Sequence, residues 1–200
     1  MPSRRNTEYT VRLLLPGEEG PLAEQVTLWR SRRNLAREVT QPLLEALRRE
    51  REIVVLVDND QDTIVGCLQL DRGNPAAASP PHTEAQAPAL KLVTMATDPG
   101  AGYRLGWLLT LWARHHAALC GYRRLVSEIP VRHHTSPVGR KLFPYLLDRC
   151  GWSTTGPTRA ANHSSAWVNP LETAAATHPS LAAMVTDEVP HAPAWQDTSA

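Results

Sequence analysis

Residues 95–109 read MATDPGAGYRLGWLL, a pattern that predicts the end of a β-strand, a loop of proline and glycine, and the first turns of an amphipathic helix. A loop that leads directly into a helix leaves the first backbone N–H groups of that helix without intrahelical partners, at the positive end of the helix dipole. Such an end binds anions, above all phosphate or pyrophosphate. The stretch therefore predicts a phosphate site built mainly from backbone atoms.

The elements around this stretch alternate between strand and helix. A strand over Leu90–Thr97 precedes the loop, and the helix that follows it carries apolar residues at helical spacing until Gly121 ends it. The next strand is predicted over Arg124–Val131, and a short helix interrupted by proline over Val138–Arg149.

The N-terminal half predicts a strand, two helices and a hairpin. The strand is Tyr9–Leu15, and the helices are Leu22–Leu35 and Pro42–Glu50. Two β-rich runs, Ile53–Val57 and Thr63–Leu70, flank an acidic turn and therefore predict an antiparallel hairpin.

The remaining segments have weaker patterns. Gly73–Pro88 is rich in proline and alanine and is expected to be a functional or disordered loop, and Asn162–Asn169 is a weak last strand. The element order predicts an α/β (α+β) fold with a mixed, mostly antiparallel sheet of about six strands and with four helices. We expect a flexible N-terminus over residues 1–7, one domain over residues 8–172, and a disordered tail over residues 173–200.

Composition excludes several classes of protein. A hydrophobic fraction of 42%, a charged fraction of 20% and a net charge of +1 are typical of globular domains and argue against a mainly electrostatic nucleic-acid binder. The three cysteines are widely spaced, which favours neither a disulfide framework nor a zinc knuckle. Because the sequence lacks an apolar run of signal-peptide or membrane-spanning length, we expect a cytoplasmic protein.

Three segments in this element order resemble the GNAT superfamily, the acetyl-CoA-dependent N-acetyltransferases. Met95–Pro99 (MATDP) resembles the end of that family's fourth strand, which meets the acetyl thioester and the pantetheine arm. Gly102–Leu109 resembles its pyrophosphate loop and the start of the following helix. Leu146–Trp152 (LLDRCGW) resembles the ending of its last helix.

The resemblance implies acetyl-CoA as co-substrate and a primary amine as acceptor. The residues that it places against acetyl-CoA lie on the strand end and in the loop: Met95, Ala96, Thr97, Ala101, Gly102, Tyr103, Arg104, Leu105, Gly106 and Trp107. The acceptor, a small molecule or a peptide, would enter over the first two helices and the Gly73–Pro88 loop. Family members are often dimers, so a homodimer is consistent with the resemblance.

The sequence departs from the family pattern at three positions. Ala101 stands where the family has arginine or glutamine, Arg104 where it has a glycine, and Leu147 where it often has the tyrosine that protonates the leaving thiolate. Tyr145 is the nearest replacement for that tyrosine. These departures leave a second hypothesis open, in which a degenerate GNAT-like fold acts as a non-catalytic binding or regulatory module.

Direct attack by an amine on the thioester requires a base, because an aliphatic ammonium has a pKa of about 10.4. Glu128 is the first candidate, His133 with its neighbour His134 the second, and Glu84 the third. The alternative for Glu128 is a solvated or salt-bridged residue on a strand.

No metal is expected, because adjacent histidines such as His115 and His116 point about 100° apart on a helix and cannot readily share one ion. The arginines at Arg30, Arg32 and Arg33 suit the negative end of the first helix. Together with Arg37 and the group of Arg48, Arg49 and Arg51, they are also the basis of a third hypothesis, of nucleic-acid association.

Overall fold

The computed structural model describes residues 8–33, 52–72, 88–102, 104–131, 139–160 and 167–191. These ranges contain nine strands, three α-helices and one 3₁₀ helix. In chain order they are β1 (Tyr9–Leu13), α1 (Glu19–Arg32), β2 (Ile53–Asp58), β3 (Thr63–Asp71), β4 (Ala89–Thr97), α2 (Leu105–Leu119), β5 (Arg124–Pro130), α3 (Gly139–Asp148), β6 (Ser153–Thr154), β7 (Arg159–Ala160), β8 (Trp167–Ala174), the 3₁₀ helix (Pro179–Ala183) and β9 (Val185–Asp187).

The chain forms two compact units, and the first comprises residues 1–70, 94–112 and 178–190. In this unit β2 pairs antiparallel with both β1 and β3, and β9 pairs parallel with β1. The hairpin of β2 and β3 is confirmed, with Ile53 opposite Gln69 and Asp58 opposite Thr63. The apolar side of α1 packs on this sheet through Leu22, Val26 and Trp29, against Ile53, Val55, Val57, Cys67 and Ala96.

The second unit comprises residues 71–93, 113–177 and 191–200, so β4 and α2 each run from one unit into the other. Here β5 pairs parallel with the first half of β4 and antiparallel with β8, and β6 and β7 both pair with β8. The parallel ladder runs from Ala89 opposite Arg124 to Leu92 opposite Ser127, although both strands continue beyond these residues.

Helix α2 matches its prediction closely. Its apolar face is buried through Leu105, Leu109 and Trp112. The chain leaves the helix at Gly121, which has φ of +82°. This left-handed conformation suits glycine, and it accounts for the predicted end of the helix.

Two predictions about the C-terminal part need correction. The last strand, predicted over Asn162–Asn169, instead continues to Ala174 as β8, while residues 162–166 lie outside the described ranges. Pro170 does not break the strand: it lies opposite Glu128 in the ladder, and its carbonyl accepts a hydrogen bond from Thr155 N at 3.2 Å.

The tail predicted from residue 173 onward is folded structure as far as His191. The 3₁₀ helix buries Leu181, and β9 pairs Tyr9 with Val185 in the first unit. Three residues are too few to show the alternation of apolar and polar residues that marks a strand, so the extended conformation of β9 depends on its pairing with β1 rather than on a local pattern.

The mixed α/β class and the mostly antiparallel pairing are confirmed, although nine strands replace about six. The predicted helix over Pro42–Glu50 lies outside the described residues, as does most of the Gly73–Pro88 loop. None of the helices in the described ranges has the length and apolar character needed to cross a membrane.

Candidate functional site

The loop between β4 and α2 turns tightly and then opens. Asp98 N donates to the carbonyl of Val65 at 2.8 Å, and Asp98 Oδ1 accepts from Gly100 N at 2.8 Å. Gly102 has φ of +96°, and a Cβ built there would meet no atom within 4 Å. The loop therefore passes through a conformation that favours glycine, at a position with open space around it.

The first turn of α2 presents backbone donors and contains no carboxylate of its own. The first hydrogen bond of the helix is donated by Leu108 N to Arg104 O, at 2.9 Å. The N–H groups before Leu108 therefore have no acceptor within the helix. The turn contains no acidic residue, and Arg104, immediately before it, is exposed. A guanidinium, a helix N-terminus and an open glycine backbone together suit a pyrophosphate group.

The end of β4 supplies backbone rather than side-chain chemistry. Ala96 belongs to the apolar core, so only its backbone is available to a ligand. Thr97 is buried, and its Oγ1 accepts from Arg33 Nη2 at 3.0 Å. One turn earlier on α1, Arg30 Nη2 lies 3.3 Å from Thr94 Oγ1. Arg30 of α1 and Arg33, the residue that follows α1, therefore reach the strand that was predicted to hold the thioester.

Burial changes the protonation chemistry around this strand. Desolvation lowers the pKa of both Arg30 and Arg33, the latter against the opposing charge of Asp98. Desolvation also raises the pKa of the Cys67 thiol to about 12, which outweighs the attraction of Arg30. Cys67 therefore stays a neutral thiol at physiological pH, and it is a poor candidate for an acetylated nucleophile.

The second unit holds Glu128, the first candidate base. Its Oε2 lies 3.1 Å from Lys91 Nζ, and its side chain is 20% exposed. It follows Ser127, the last β5 residue of the ladder with β4, whose Oγ donates to Leu92 O at 2.9 Å. Glu128 is thus both salt-bridged, as the alternative interpretation had it, and placed where the two parallel strands cease to pair.

Glu128 and Lys91 line a cavity of about 230 Å³ together with a second ion pair, Arg124 with Glu172 at 3.0 Å. Opposite charges face each other in both pairs, so the cavity carries little net charge.

The other predicted site residues have different outcomes. Met95, Ala96, Thr97, Ala101, Gly102, Arg104, Leu105, Gly106 and Trp107 follow one another on β4, the loop and α2 in the first unit. Tyr145 is half-buried in α3 of the second unit, where its carbonyl accepts from Arg149 N at 2.9 Å. Tyr103, His133, His134 and Glu84 lie outside the described residues.

One cluster of metal-ligand atoms appears in the described ranges: His116, Cys120 and His191 within 4.8 Å of one another. His116 Nε2 faces Cys120 Sγ at 3.5 Å, while its Nδ1 faces His191 Nδ1 at 3.0 Å. Because a histidine gives one ring nitrogen to a metal ion, contacts from opposite sides of the ring are better explained as a hydrogen-bonded chain.

Arg30, Arg33 and Thr94 are the residues of this region that sequence reasoning missed. The arginines were interpreted as a charged helix end, since three arginines in four positions normally remain solvated. A signal was present in their spacing: Arg30 and Arg33 are three residues apart and share a helix face with the apolar Val26 and Trp29.

Comparison with known proteins identifies the fold. A candidate phosphinothricin N-acetyltransferase matches with a TM-score of 0.55 and 14% identity, over 84% of this chain and 99% of that one. A candidate GNAT-family acetyltransferase from Desulfovibrio desulfuricans matches with a TM-score of 0.61 and 17% identity, over 84% and 99%. Spermidine N-acetyltransferase from Vibrio cholerae, solved with CoA and spermine, matches with a TM-score of 0.52 and 12% identity, over 84% and 96%.

No protein-family profile matches the sequence. The search of curated protein sequences likewise gives no significant match. The structural matches cover nearly the full length of each neighbour, and they agree with the resemblance found in the three segments around Met95–Pro99, Gly102–Leu109 and Leu146–Trp152. The chain therefore has the fold of the GNAT acetyltransferases.

Proposed function

We propose that this protein is an N-acetyltransferase that transfers an acetyl group from acetyl-CoA to a primary amine by direct attack. The observation that supports this most strongly is the acid-free N-terminus of α2, preceded by Arg104 and Gly102, in a chain with the GNAT fold. The Vibrio cholerae neighbour, which was solved with CoA, also supports the assignment.

Acetyl-CoA supplies the acetyl group as an activated thioester. Backbone N–H groups from Gly102 to Trp107 would bind its pyrophosphate, with Arg104 adding a charge-assisted hydrogen bond. The strand end Met95–Thr97 would bind the pantetheine arm and place an amide N–H where the carbonyl oxygen gains negative charge.

The acceptor amine must arrive neutral at the thioester carbon. Glu128 would take its proton, directly or through water, since it lies one residue beyond the end of the ladder between β4 and β5. Tyr145 is the proposed donor to the departing thiolate. No covalent enzyme intermediate is needed, and the buried neutral thiol of Cys67 agrees with a direct transfer.

The proposed activity also implies a cellular location and a partner. Acetyl-CoA is a cytoplasmic metabolite, so we place the protein in the cytoplasm, without a membrane or nucleic-acid partner. A second copy of the chain is the proposed oligomeric partner, and the assembly of the Vibrio cholerae enzyme as a dodecamer supports self-association.

Titration with acetyl-CoA, followed by thermal unfolding, tests this function. A ligand at 100 times its Kd stabilises the folded state by about 2.7 kcal/mol, so a specific site gives a clear rise in Tm. Release of free CoA thiol in the presence of an amine then measures turnover. No stabilisation at about 1 mM acetyl-CoA would reject the acetyl-CoA site.

The departures at Ala101, Arg104 and Leu147 favour one other function, a GNAT fold that binds a ligand without turnover. The same titration separates the two functions. Stabilisation by acetyl-CoA with no thiol release from any amine tested would support the binding module.

A further inference from the structure

We propose that the acceptor carries an anionic group, such as a carboxylate, next to its amine, and that Arg33 binds this group. The proposal rests on the acetyltransferase function above and names its class of substrate. It is based on the contacts between the end of α1 and β4 in the first unit.

The two arginines cover the strand that ends at the acetyl-CoA loop. Arg33 Nη2 donates to Thr97 Oγ1 at 3.0 Å, and Arg30 Nη2 lies 3.3 Å from Thr94 Oγ1. Thr97 is the last residue of β4 and immediately precedes the loop. A group bound by Arg33 would therefore lie beside the strand end to which the thioester is assigned.

The hydroxyl of Thr97 does not neutralise the charge of Arg33. A guanidinium has five N–H donors, and the bond to Thr97 uses one from Arg33. No carboxylate of the described residues lies within ion-pair distance of Arg33, and Asp98 acts on it only through its charge. A half-buried guanidinium with free donors is suited to bidentate binding of a carboxylate.

Burial makes this charge costly in the absence of an anion. Arg33 is half-buried, and desolvation is the largest influence on its pKa, which it lowers. Since desolvated charges in proteins are normally paired, a bound anion would offset a cost that the Thr97 hydroxyl leaves in place.

Gln69 is an independent indication that this side of the sheet receives a polar ligand. It lies two residues after Cys67 on β3, opposite Ile53, and both of these belong to the core beneath α1. Its side chain is fully buried, and neither amide atom has a hydrogen-bond partner. Buried amides almost always have partners, so a polar group or water is expected beside it.

The same charge disfavours a polycationic acceptor. A polyamine would bring ammonium groups toward the desolvated guanidinium of Arg33, and like charges at low dielectric repel strongly. Although this chain shares its fold with a spermidine N-acetyltransferase, we therefore expect the two proteins to use different acceptors.

Matched acceptors that differ only in charge test the proposal. Thiol release from acetyl-CoA is measured with a panel of amino acids, with the amide of each, and with spermidine. We expect the best amino acid to exceed its amide by about 10-fold or more in kcat/KM, a difference typical of a charge-assisted bidentate contact. Equal rates, or a preference for the amides or for spermidine, would overturn the proposal.

Arg33→Gln and Arg32→Gln form a matched pair of variants, because Arg32 is the exposed last residue of α1 and the direct neighbour of Arg33. Arg33→Gln should abolish most of the preference for the amino acid, whereas Arg32→Gln should keep it. An unchanged preference in Arg33→Gln would reject the assignment of this residue.

If none of the amines in the panel is acetylated, a binding experiment tests the proposal instead. Calorimetric titration in the presence of CoA compares N-acetyl-glutamate with its uncharged diamide. The dicarboxylate should bind about 10-fold more tightly to the wild type and equally to Arg33→Gln. Equal binding to the wild type rejects the anionic acceptor, whereas loss of stabilisation by acetyl-CoA would instead reject the proposed function.

Discussion

Lys91 and Glu128 form an ion pair between neighbouring parallel strands, with Lys91 Nζ 3.1 Å from Glu128 Oε2. Lys91 lies within the ladder of β4 and β5, and Glu128 lies one residue beyond its end. The ion pair therefore spans the point at which β4 and β5 stop forming hydrogen bonds with each other. A carboxylate in this position has two candidate roles, a structural one with Lys91 and a catalytic one with the acceptor amine.

Glu128→Gln separates these roles. Because glutamine cannot accept a proton from an ammonium, the substitution should lower kcat by about 100-fold or more if Glu128 is the base. The KM for acetyl-CoA should change little, since Glu128 is not among the residues proposed to bind it. Steady-state kinetics over a range of pH measure both quantities, and a decrease in kcat below about threefold would reject Glu128 as the base.

Lys91→Met is the control for that experiment. It breaks the same ion pair but leaves the carboxylate in place, so kcat should stay near that of the wild type. The side chain of Lys91 is 42% exposed, so the loss of stability should be below about 1 kcal/mol. Equal damage to kcat from both substitutions would assign the pair a structural role.

Gly106→Glu tests the pyrophosphate site. Gly106 is the second residue of α2, and a carboxylate there would repel a bound pyrophosphate while remaining compatible with a helix N-terminus. We expect the stabilisation by acetyl-CoA to disappear while the fold persists. Circular dichroism and thermal unfolding with and without acetyl-CoA give both results.

Gly20→Glu is the matched control for Gly106→Glu. Gly20 is likewise the second residue of its helix, α1, and a Cβ there would meet no atom within 4 Å. This variant should bind acetyl-CoA as the wild type does. If Gly106→Glu also retains binding, the pyrophosphate lies elsewhere.

Local patterns sufficed to predict the elements that are stabilised by neighbours in sequence. The two β-branched runs from Ile53 and Thr63 are joined by a short turn, so their pairing follows from the pattern itself. The strand, loop and helix around Gly102 were predicted for the same reason, because a helix end and its anion affinity are local properties.

Contacts between distant residues could not be predicted in this way. Arg33 and Thr97 are 64 positions apart, and only the packing of α1 on the sheet brings them within hydrogen-bond distance. Likewise, β9 is a strand only because Val185 meets Tyr9. The features that bear on substrate choice and on the C-terminal segment therefore depend on tertiary structure.

Trp112 and Asp187 give a prediction about the stability of that segment. The indole of Trp112 is fully buried, and its Nε1 donates to Asp187 Oδ2 at 2.8 Å. Asp187→Ala removes this acceptor from a buried donor, which should lower the free energy of unfolding by about 1–3 kcal/mol. Urea denaturation measures the change.

Asp187→Asn is the control, because its one side-chain oxygen can still accept from Trp112, although its amide group then faces Val189 N, which donates to Asp187 Oδ1 at 3.0 Å. We expect a smaller loss than that of Asp187→Ala. If the two substitutions cost the same free energy, the contact with Val189 N or the charge of Asp187, rather than the bond to Trp112, stabilises the segment.

Arg12 and Glu18 connect β1 to the start of α1 through two parallel hydrogen bonds, of 2.8 Å and 2.7 Å. Glu18 Oε2 also accepts from Leu15 N at 2.9 Å. The contact with Arg12 is the main reason that the pKa of Glu18 is lowered in the folded protein, against the opposing effect of burial. The carboxylate is thus stabilised in its ionised form by the fold.

This lowered pKa predicts a stability difference that depends on pH. The contribution of Glu18 is complete above its unfolded pKa, near 4.5, and is lost as the pH falls through its lower folded value. Glu18→Gln should therefore be less stable than the wild type by about 1 kcal/mol near neutral pH, with the gap closing in acid. Glu24→Gln, an exposed change on the same helix, should show no such gap. If the stability difference between the wild type and Glu18→Gln stayed constant down to about pH 3, protonation of Glu18 would not be coupled to folding.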